Sequence, residues 1–348
     1  MENDLVISTE LGIVDALTWV EGGVTLVCPS LRLEIAVPWA EGPEVLDFHQ
    51  RSREALGDLL RFVDIGSGKL RPVTAKTEEQ IRAACEQPVP YPKKQYFWIQ
   101  RSVAQGVTPA ELYVDFVMRA DQLPTKQMLE RWRKPDAYPN LRYSTLAVAF
   151  PLDHPLAQPE RFLAWVSELD VVRHRRFLCA TAGYCLLRAT DAPTFEGGQR
   201  AGNHAGAMLL RHPGLDVARW VRAALAVHDV DYVERMRQPV AKPLIRRANW
   251  LNFLSAEQVA LLGGSGALQS RFDDMPTIGL TEFAHGLLIR AGDAPQWGDA
   301  AAGLFPNEYC EVAKALAPLR VPKIKFSALG QAFDRDGEAL WFRVLERQ

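Results

Sequence analysis

The chain has 348 residues, of which 48% are hydrophobic and 24% are charged, and its formal net charge is −2. This length and composition allow one large compact unit or two domains, and they give no reason to expect an intrinsically disordered chain. The near-neutral charge argues against direct binding of nucleic acid, which requires a basic footprint.

Strand and helix patterns begin in an N-terminal α/β segment that we expect to span residues 1–125. Apolar and polar residues alternate over 31–37, which predicts a half-buried strand. Apolar residues at helical spacing predict a helix over 45–63. Thr-Glu-Glu-Gln at 77–80 is typical of a capping box at a helix start, and 112–118 predicts another strand.

Strands and helices alternate in the remainder of the chain. The predicted strands lie at 143–150, 178–189, 249–254, 286–291 and 339–345. The predicted helices lie at 159–169, 216–227, 255–262 and 307–317. Gly263 and Gly264 end the third of these helices, because glycine favours helix termini.

A short repeat relates the two parts of this region. Residues 187–193 and 289–295 agree at five of seven positions at an offset of 102. The repeat predicts a pseudo-duplicated core over 126–348, with βαβα halves at about 140–230 and 245–348. Chance similarity in an alanine-rich sequence is the alternative. The predicted class is α+β (mixed α/β), with a mixed or antiparallel sheet.

Two glycine-rich stretches approach a catalytic motif without completing it. Gly-Ser-Gly-Lys at 66–69 resembles a phosphate-binding loop, which also needs glycine at 63 and Ser or Thr at 70, where the chain has Val63 and Leu70. Ser265 lies in a near match to a nucleophile elbow, but Ala267 replaces the closing glycine and a helix precedes it. Glycines that end a helix explain this second stretch better.

Nucleophile and metal patterns are equally incomplete. His174 and Cys179 are close enough in sequence to suggest a Cys–His nucleophile. His174 lies in a basic helix end, however, and Cys179 begins an apolar strand, so structural roles are favoured. The sequence contains neither Cys-x-x-Cys nor His-Glu-x-x-His. We expect no catalytic residue, no metal site and no cofactor.

The compartment follows from cysteine usage and from the N-terminus. The five cysteines are few and lie in apolar segments, as is typical of buried thiols in a reducing compartment. The first residues lack the pattern of a secretory signal, and no apolar run is long enough to span a membrane. We expect a cytoplasmic protein with no membrane contact, and a homo-oligomer stays possible.

Several motifs of the C-terminal half form a recognisable set. A Trp-Leu-x-Phe-Leu strand at 250–254 precedes a helix ending in Leu-Gly-Gly at 262–264. An apolar strand and a Gly-Asp turn follow within 287–299, and a Pro-x-x-Tyr helix starts at 306–309. Upstream, 212–216 reads His-Pro-Gly-Leu-Asp. Together these motifs resemble the type VI secretion immunity family, and the resemblance extends over essentially the whole chain.

The resemblance implies structural roles for the motif residues. These are Trp250, Leu251, Phe253, Gly263, Gly264, Gly292, Asp293, Pro295, Gly298, Asp299 and Tyr309. We expect Asp293 to accept hydrogen bonds from its own turn. The resemblance also implies that the chain binds and neutralises a toxin delivered by type VI secretion and encoded nearby, often a nuclease, without catalysis. The alternatives are a small-molecule-binding regulator on the duplicated scaffold and a hydrolase using Ser265 or the pair of His174 and Cys179.

A nuclease inhibitor gains from acidic side chains, because a nuclease presents a basic cleft to DNA. Three acidic clusters lie in predicted turns: Asp229, Asp231 and Glu234; Asp273 and Asp274; and Asp334, Asp336 and Glu338. The alternative is that these charges only solvate loops. We rank Asp273 and Asp274 first as candidate interface, because they lie in a long connection before the next predicted strand.

Overall fold

The structure is a computed structural model, and its described residues are 12–37, 42–86, 96–116, 144–174, 179–189, 195–217, 245, 247–320 and 344–346. Strands of this part form a single sheet. In chain order they are β1 (Trp19–Glu21), β2 (Val24–Val37), β3 (Phe62–Asp64), β4 (Arg71–Pro72), β5 (Tyr96–Arg101), β6 (Glu111–Phe116), β7 (Ser144–Phe150), β8 (Cys179–Arg188), β9 (Asp216–Val217), β10 (Leu251–Ser255), β11 (Ile278–Phe283) and β12 (Gly286–Ala291).

Helices lie on both faces of this sheet. In chain order they are α1 (Gly42–Leu56), α2 (Ala75–Glu86), α3 (Pro159–Ser167), α4 (Asp170–His174), α5 (Phe195–Arg211), α6 (Ala256–Leu261), α7 (Ser265–Phe272) and α8 (Asn307–Leu316), and residues 12–17 are also helical. No helix of the described residues is long and apolar enough to cross a membrane.

The strand order is β11-β12-β10-β8-β2-β7-β6-β5-β3-β4, with β1 paired to β2 and β9 paired to β8. Neighbouring strands are antiparallel, and only the short β8–β9 pairing between these strands is parallel. The fold is therefore α+β, as the sequence predicts. Strands β11 and β4 are the two ends of this order.

The long strand β2 is buried on both faces. One face carries Leu31, Leu33 and Ile35, which join the large core that also contains residues of α1, α2, α3, α7 and α8. The opposite face carries Arg32 and Glu34, which are 3% and 4% exposed. The alternation over 31–37 predicts a strand with one face in solvent. The strand is confirmed, but its exposed face is wrong, because the polar side chains of β2 are buried against residues of other strands.

A buried network of charges links β2 to β5 and β6. The Nε of Arg32 donates to Glu34 at 3.1 Å, and its Nη1 donates to Glu111 at 3.2 Å. Arg101 donates from its Nε to the other carboxylate oxygen of Glu111 at 3.0 Å. Burial alone would lower the pKa of Arg32, but the nearby Glu34 and Glu111 raise it above its ordinary value. Glu111 therefore bridges two buried guanidinium groups.

Local predictions near the N-terminus need two corrections. Helix α2 begins before Thr77, and Thr74 and Thr77 exchange hydrogen bonds at its start: the Thr77 amide donates to Thr74 Oγ1, and the Thr74 amide donates to Thr77 Oγ1. The capping box at 77–80 is thus misplaced by three residues. The helix predicted over 45–63 ends at Leu56, because a 3-10 turn follows and leads into β3.

Two predictions in the C-terminal part also differ from the structure. Asp216 and Val217 form β9 beside β8, so the helix predicted from 216 does not start there, and residues 218–227 lie outside the described residues. Val344–Glu346 is a 3-10 turn in place of the end of a closing strand, and 339–343 lie outside the described residues.

The division of the chain at residue 125 and the duplication of the core stay predictions. Strand β2 of the N-terminal segment pairs with both β7 and β8, so the two segments share one sheet. The repeated heptapeptides begin in β8 and β12, which run parallel to each other with β10 between them.

Glu111→Gln should destabilise the fold by about 3 kcal/mol, because it removes the carboxylate that the buried guanidinium groups of Arg32 and Arg101 share. Urea unfolding followed by circular dichroism would measure the loss. Glu79→Gln is the matched control, since Glu79 is exposed on α2, and it should change the free energy of unfolding by less than about 0.5 kcal/mol. Equal stability of the two variants would contradict a bridging role for Glu111.

Candidate functional site

The acidic pair ranked first by sequence lies on the surface at the end of α7. Asp273 and Asp274 are both exposed, and Asp273 caps the helix with αR backbone angles. Gln269 donates to the Asp273 carboxylate at 3.4 Å. The connection that holds the pair is not a long loop, as the sequence suggested, because it contains α7 itself. The pair therefore stands on a helix end and a short turn, which is a firmer support than a loop.

The turn after this pair leads directly into β11, a strand that the sequence analysis missed. The turn is closed by Met275, whose amide bonds Phe272 and whose carbonyl accepts from Ile278. Within β11, Ile278 is buried whereas Thr281 and Glu282 are exposed. The strand pairs with β12 on one side, and it is the terminal strand of the sheet in the described part of the chain. The apolar residues Ile278 and Leu280, separated by one residue, were the available signal.

A second segment joins the first at the same end of β11. The amide of Gly292 donates to the carbonyl of Thr277 at 3.1 Å, and Thr277 Oγ1 donates to Glu308 at 3.0 Å. These bonds place the exposed Asp293 next to the turn that carries the acidic pair. We call the exposed set Asp273, Asp274, Glu282 and Asp293 the acidic edge. It lies along and around β11.

Asp293 differs from its predicted role. Its side chain is 78% exposed and forms an ion pair with Arg290 at 3.4 Å. The described contacts include no hydrogen bond from its own turn to this carboxylate. Asp293 is therefore a surface charge, whose pairing contributes at most about 1 kcal/mol. Its counterpart in the repeat, Asp191, lies outside the described residues.

The other two acidic clusters cannot be compared with this edge. Asp229, Asp231 and Glu234 lie outside the described residues, and so do Asp334, Asp336 and Glu338. All three clusters stay predictions as interface residues.

The motif residues around Trp250 lie together in the core behind the acidic edge. Trp250 is buried, and its Nε1 donates to the carbonyl of Gly292 at 3.2 Å. The amide of Ala291 donates to the Trp250 carbonyl at 2.8 Å. Leu251 and Phe253 are buried in β10, and Pro295 is buried beyond the turn. These contacts fix the Gly292–Asp293 turn to the end of β10.

A second group of motif residues joins α5 to the segment before α8. His212 Nδ1 lies 2.8 Å from the carbonyl oxygen of Gly298. The amide of Gly214 donates to the Trp297 carbonyl at 2.7 Å, and the rings of Trp297 and Tyr184 stack with centroids 3.7 Å apart.

Two further motif residues complete this group. The Asp299 carboxylate accepts from the amides of Ala301 and Ala302 and pairs with Arg211 at 3.2 Å, and these bonds lower the pKa of Asp299. The buried Tyr309 hydroxyl accepts from the amide of Gln296 at 3.2 Å, and burial raises the pKa of Tyr309. All of these side chains are engaged in contacts that hold segments together.

The glycine-rich stretch around Ser265 has the geometry of a break between helices. Gly263 and Gly264 both have φ of +93°, a conformation that favours glycine, and they separate α6 from α7. Helix α6 begins where the sequence predicts a helix, and Ser255 and Gln258 form its capping box. Ser265 is the first residue of α7, so it does not follow a strand as the nucleophile of an elbow does.

The stretch at 66–69 borders a groove of about 730 Å³ beside β3 and α2. Lys69, Arg71 and Thr77 contribute polar groups to its lining. The amide and hydroxyl of Ser67 donate to Asp64 at 2.7 and 2.8 Å. The amide and hydroxyl of Ser67 are therefore bonded within the chain, to a carboxylate three residues earlier.

The remaining candidate nucleophiles and ligands do not assemble into a site in the described residues. Cys28, Cys85, Cys185 and Cys310 are buried and form no disulfide among the described residues, and burial raises the pKa of Cys310 to about 11. The side chains of His174 and Cys179 lie outside what the structure describes. The described residues contain no group of three or more His, Cys, Asp or Glu side chains that could hold a metal ion.

Comparisons with known proteins agree with one another. A family model described as type VI immunity for VRR-NUC matches residues 49–337. Among solved structures, the Pseudomonas aeruginosa T6SS protein PA0821 has a similar fold, with a TM-score of 0.67 and 17% sequence identity. The alignment covers 97% of this chain and 90% of that chain. No match was found among curated proteins.

Gly214→Ala should destabilise the fold by about 1–3 kcal/mol, because a Cβ there would lie 1.8 Å from the carbonyl oxygen of Gln296. Thermal and urea unfolding would measure the change. Gly266→Ala is the control: it lies in α7 with nothing within 4 Å of the new Cβ, and alanine should stabilise that helix slightly. If both variants unfold at the same urea concentration, the close approach of Gly214 to the Gln296 segment is not needed for stability.

Proposed function

We propose, since this chain belongs to the family of type VI immunity proteins for VRR-NUC, that it neutralises its cognate VRR-NUC effector by stoichiometric binding that occludes the nuclease. The observation that carries this proposal is the family match over residues 49–337. The matched range includes β3 to β12, the motif contacts around Trp250 and the acidic edge.

The charge of the acidic edge supports occlusion as the mechanism. A nuclease binds the DNA backbone through cationic side chains, because phosphate neutralisation supplies much of the affinity. Asp273, Asp274, Glu282 and Asp293 are exposed and are accompanied on these segments by Arg271 and Arg290 only. An acidic surface of this kind attracts a cationic cleft and speeds the encounter of the two proteins.

The compartment and the absence of catalysis belong to the same proposal. A nuclease that enters the cell attacks DNA in the cytoplasm, so we place the immunity protein there as well. Binding alone suffices for neutralisation, so the proposal requires no nucleophile, metal or cofactor of the immunity protein. The chain need not contact nucleic acid, because it competes for the surface of the effector.

Co-expression of the chain with the VRR-NUC effector encoded beside it should protect cells. Ser265→Ala, His174→Ala and Cys179→Ala should each leave protection unchanged, because protection rests on binding. Colony counts after induction of the effector would measure this, and immunoblots would confirm equal amounts of each variant. Loss of protection by a stably folded Ser265→Ala or Cys179→Ala protein would show that protection is not simple binding.

Charge reversal at the acidic pair should slow association with the effector. In Asp273→Lys with Asp274→Lys, the local charge changes by four, and we expect the association rate to fall by about tenfold at low ionic strength and by less at high ionic strength. Glu79→Lys with Glu86→Lys is the control, because both residues are exposed on α2 at the other end of the sheet.

Surface plasmon resonance at two salt concentrations would compare the association rates of the two double variants. The control carries the same change in net charge, so any effect of total charge appears in both. An equal response of the two variants would mean that Asp273 and Asp274 are not part of the interface.

A further inference from the structure

Among the residues that the structure describes, no strand pairs with the outer edge of β11. It is the terminal strand of the sheet in the described part of the chain, and Thr281 and Glu282 on it are exposed. A terminal strand that is neither covered nor bent away is a template on which another strand can pair.

The hydrogen-bond register identifies the groups that point outward. Gly292 donates to Thr277, the residue directly opposite it, so 277 and 292 form a hydrogen-bonded pair. Because such pairs alternate in an antiparallel ladder, Gly279, Thr281 and Phe283 bond β12. The backbone groups of Ile278, Leu280 and Glu282 therefore point away from β12.

The far side of β12 gives the same register independently. Ala291 donates to the carbonyl of Trp250, the residue opposite it, so the backbone of Ala291, Ile289 and Leu287 bonds β10. Arg290 and Leu288, the residues of β12 between them, must then bond β11. Both ladders agree on this register. The amide of Ile278 already donates to the carbonyl of Met275, so Leu280 and Glu282 are the residues of β11 that offer both N–H and C=O to the open edge.

We infer that the open edge of β11 receives a basic β-strand of the VRR-NUC effector, which extends the sheet of this chain by one strand. This inference rests on the proposed function and names the surface that binds. Backbone hydrogen bonds would supply affinity and the acidic edge would select cationic side chains, as in other cases of strand addition.

Charge decides between the effector and a second copy of this chain. Two β11 strands paired antiparallel about Leu280 would bring each Glu282 opposite the other copy's Ile278, next to that copy's acidic pair. Such a pairing brings the acidic edges of the two copies together, and like charges that meet at an interface oppose association. A strand with Lys or Arg at these places has the opposite effect. The acidic edge thus disfavours self-pairing and favours a basic occupant.

Hydrogen exchange of the full chain, alone and with the purified effector encoded beside it, tests this inference directly. We expect the amides of Leu280 and Glu282 to exchange at least about tenfold more slowly in the complex, whereas Thr281, already bonded to β12, changes less. A complex that forms with unchanged exchange at Leu280 and Glu282 would overturn strand addition and leave the proposed function standing. If no complex forms, both proposals fail.

A proline variant provides a second readout. Leu280→Pro removes an outward N–H without removing a bond to β12, a position at which an edge strand tolerates proline. Leu280→Ala removes the same side chain but keeps the N–H. We expect the proline variant to bind the effector at least about tenfold more weakly than the alanine variant, with circular dichroism showing that both are folded.

Equal affinity of the two folded variants would overturn the inference. The exchange experiment on the unmodified chain decides the matter if Leu280→Pro does not fold. Light scattering of the free chain tests whether a second copy binds the same edge. A dimer in which the amides of Leu280 and Glu282 are already protected from exchange would mean that β11 pairs with a second copy of the chain, and it would overturn the inference.

Discussion

The arrangement of this sheet depends on the pairing of β2, which bonds β7 along one side and β8 along the other. Residues 26–37 of this strand are also buried on both faces of the sheet, so its charged residues must find partners inside the protein. Arg32 does so with Glu34 on its own strand and Glu111 on β6, and Arg101 on β5 shares that carboxylate. Because these partners must all be in place at once, the network favours one register of β2, β6 and β5 over its alternatives.

The end of the sheet at β11 takes no part in this central charge network. At the β11 end, the motif contacts around Trp250 and Trp297 hold the turns rigid, and the exposed carboxylates project from this support. The buried contacts thus fix where the acidic edge lies, which is the surface that we propose binds the effector. An inhibitor needs such rigidity, because ordering loops on binding would reduce its affinity.

Local signals in the sequence were sufficient for several elements. The apolar run of β7, the strand β12 and the short helix that starts at Ser255 depend on neighbours in the chain, and the structure confirms them. The burial of Arg32 could not be predicted in this way, since Glu111 lies 79 residues further along. The first half of β2 was not predicted, because proline is excluded from a strand that is bonded on both sides. Pro29 is tolerated because it pairs with β8 and precedes the stretch of β2 that is bonded to β7. The position of Asp273 and Asp274 on the surface was foreseen, but their neighbour β11 was not, because its short alternation is interrupted by Gly279.

Stoichiometric binding is the central claim, and a titration of effector activity tests it most directly. DNA cleavage by the purified VRR-NUC effector would be measured at an effector concentration far above the dissociation constant, with increasing amounts of this chain. Occlusion predicts that cleavage falls linearly and reaches zero at one equivalent of the chain, independently of the time of preincubation. Complete inhibition by a small fraction of one equivalent, deepening with preincubation, would contradict occlusion and would mean that the chain inactivates the effector catalytically.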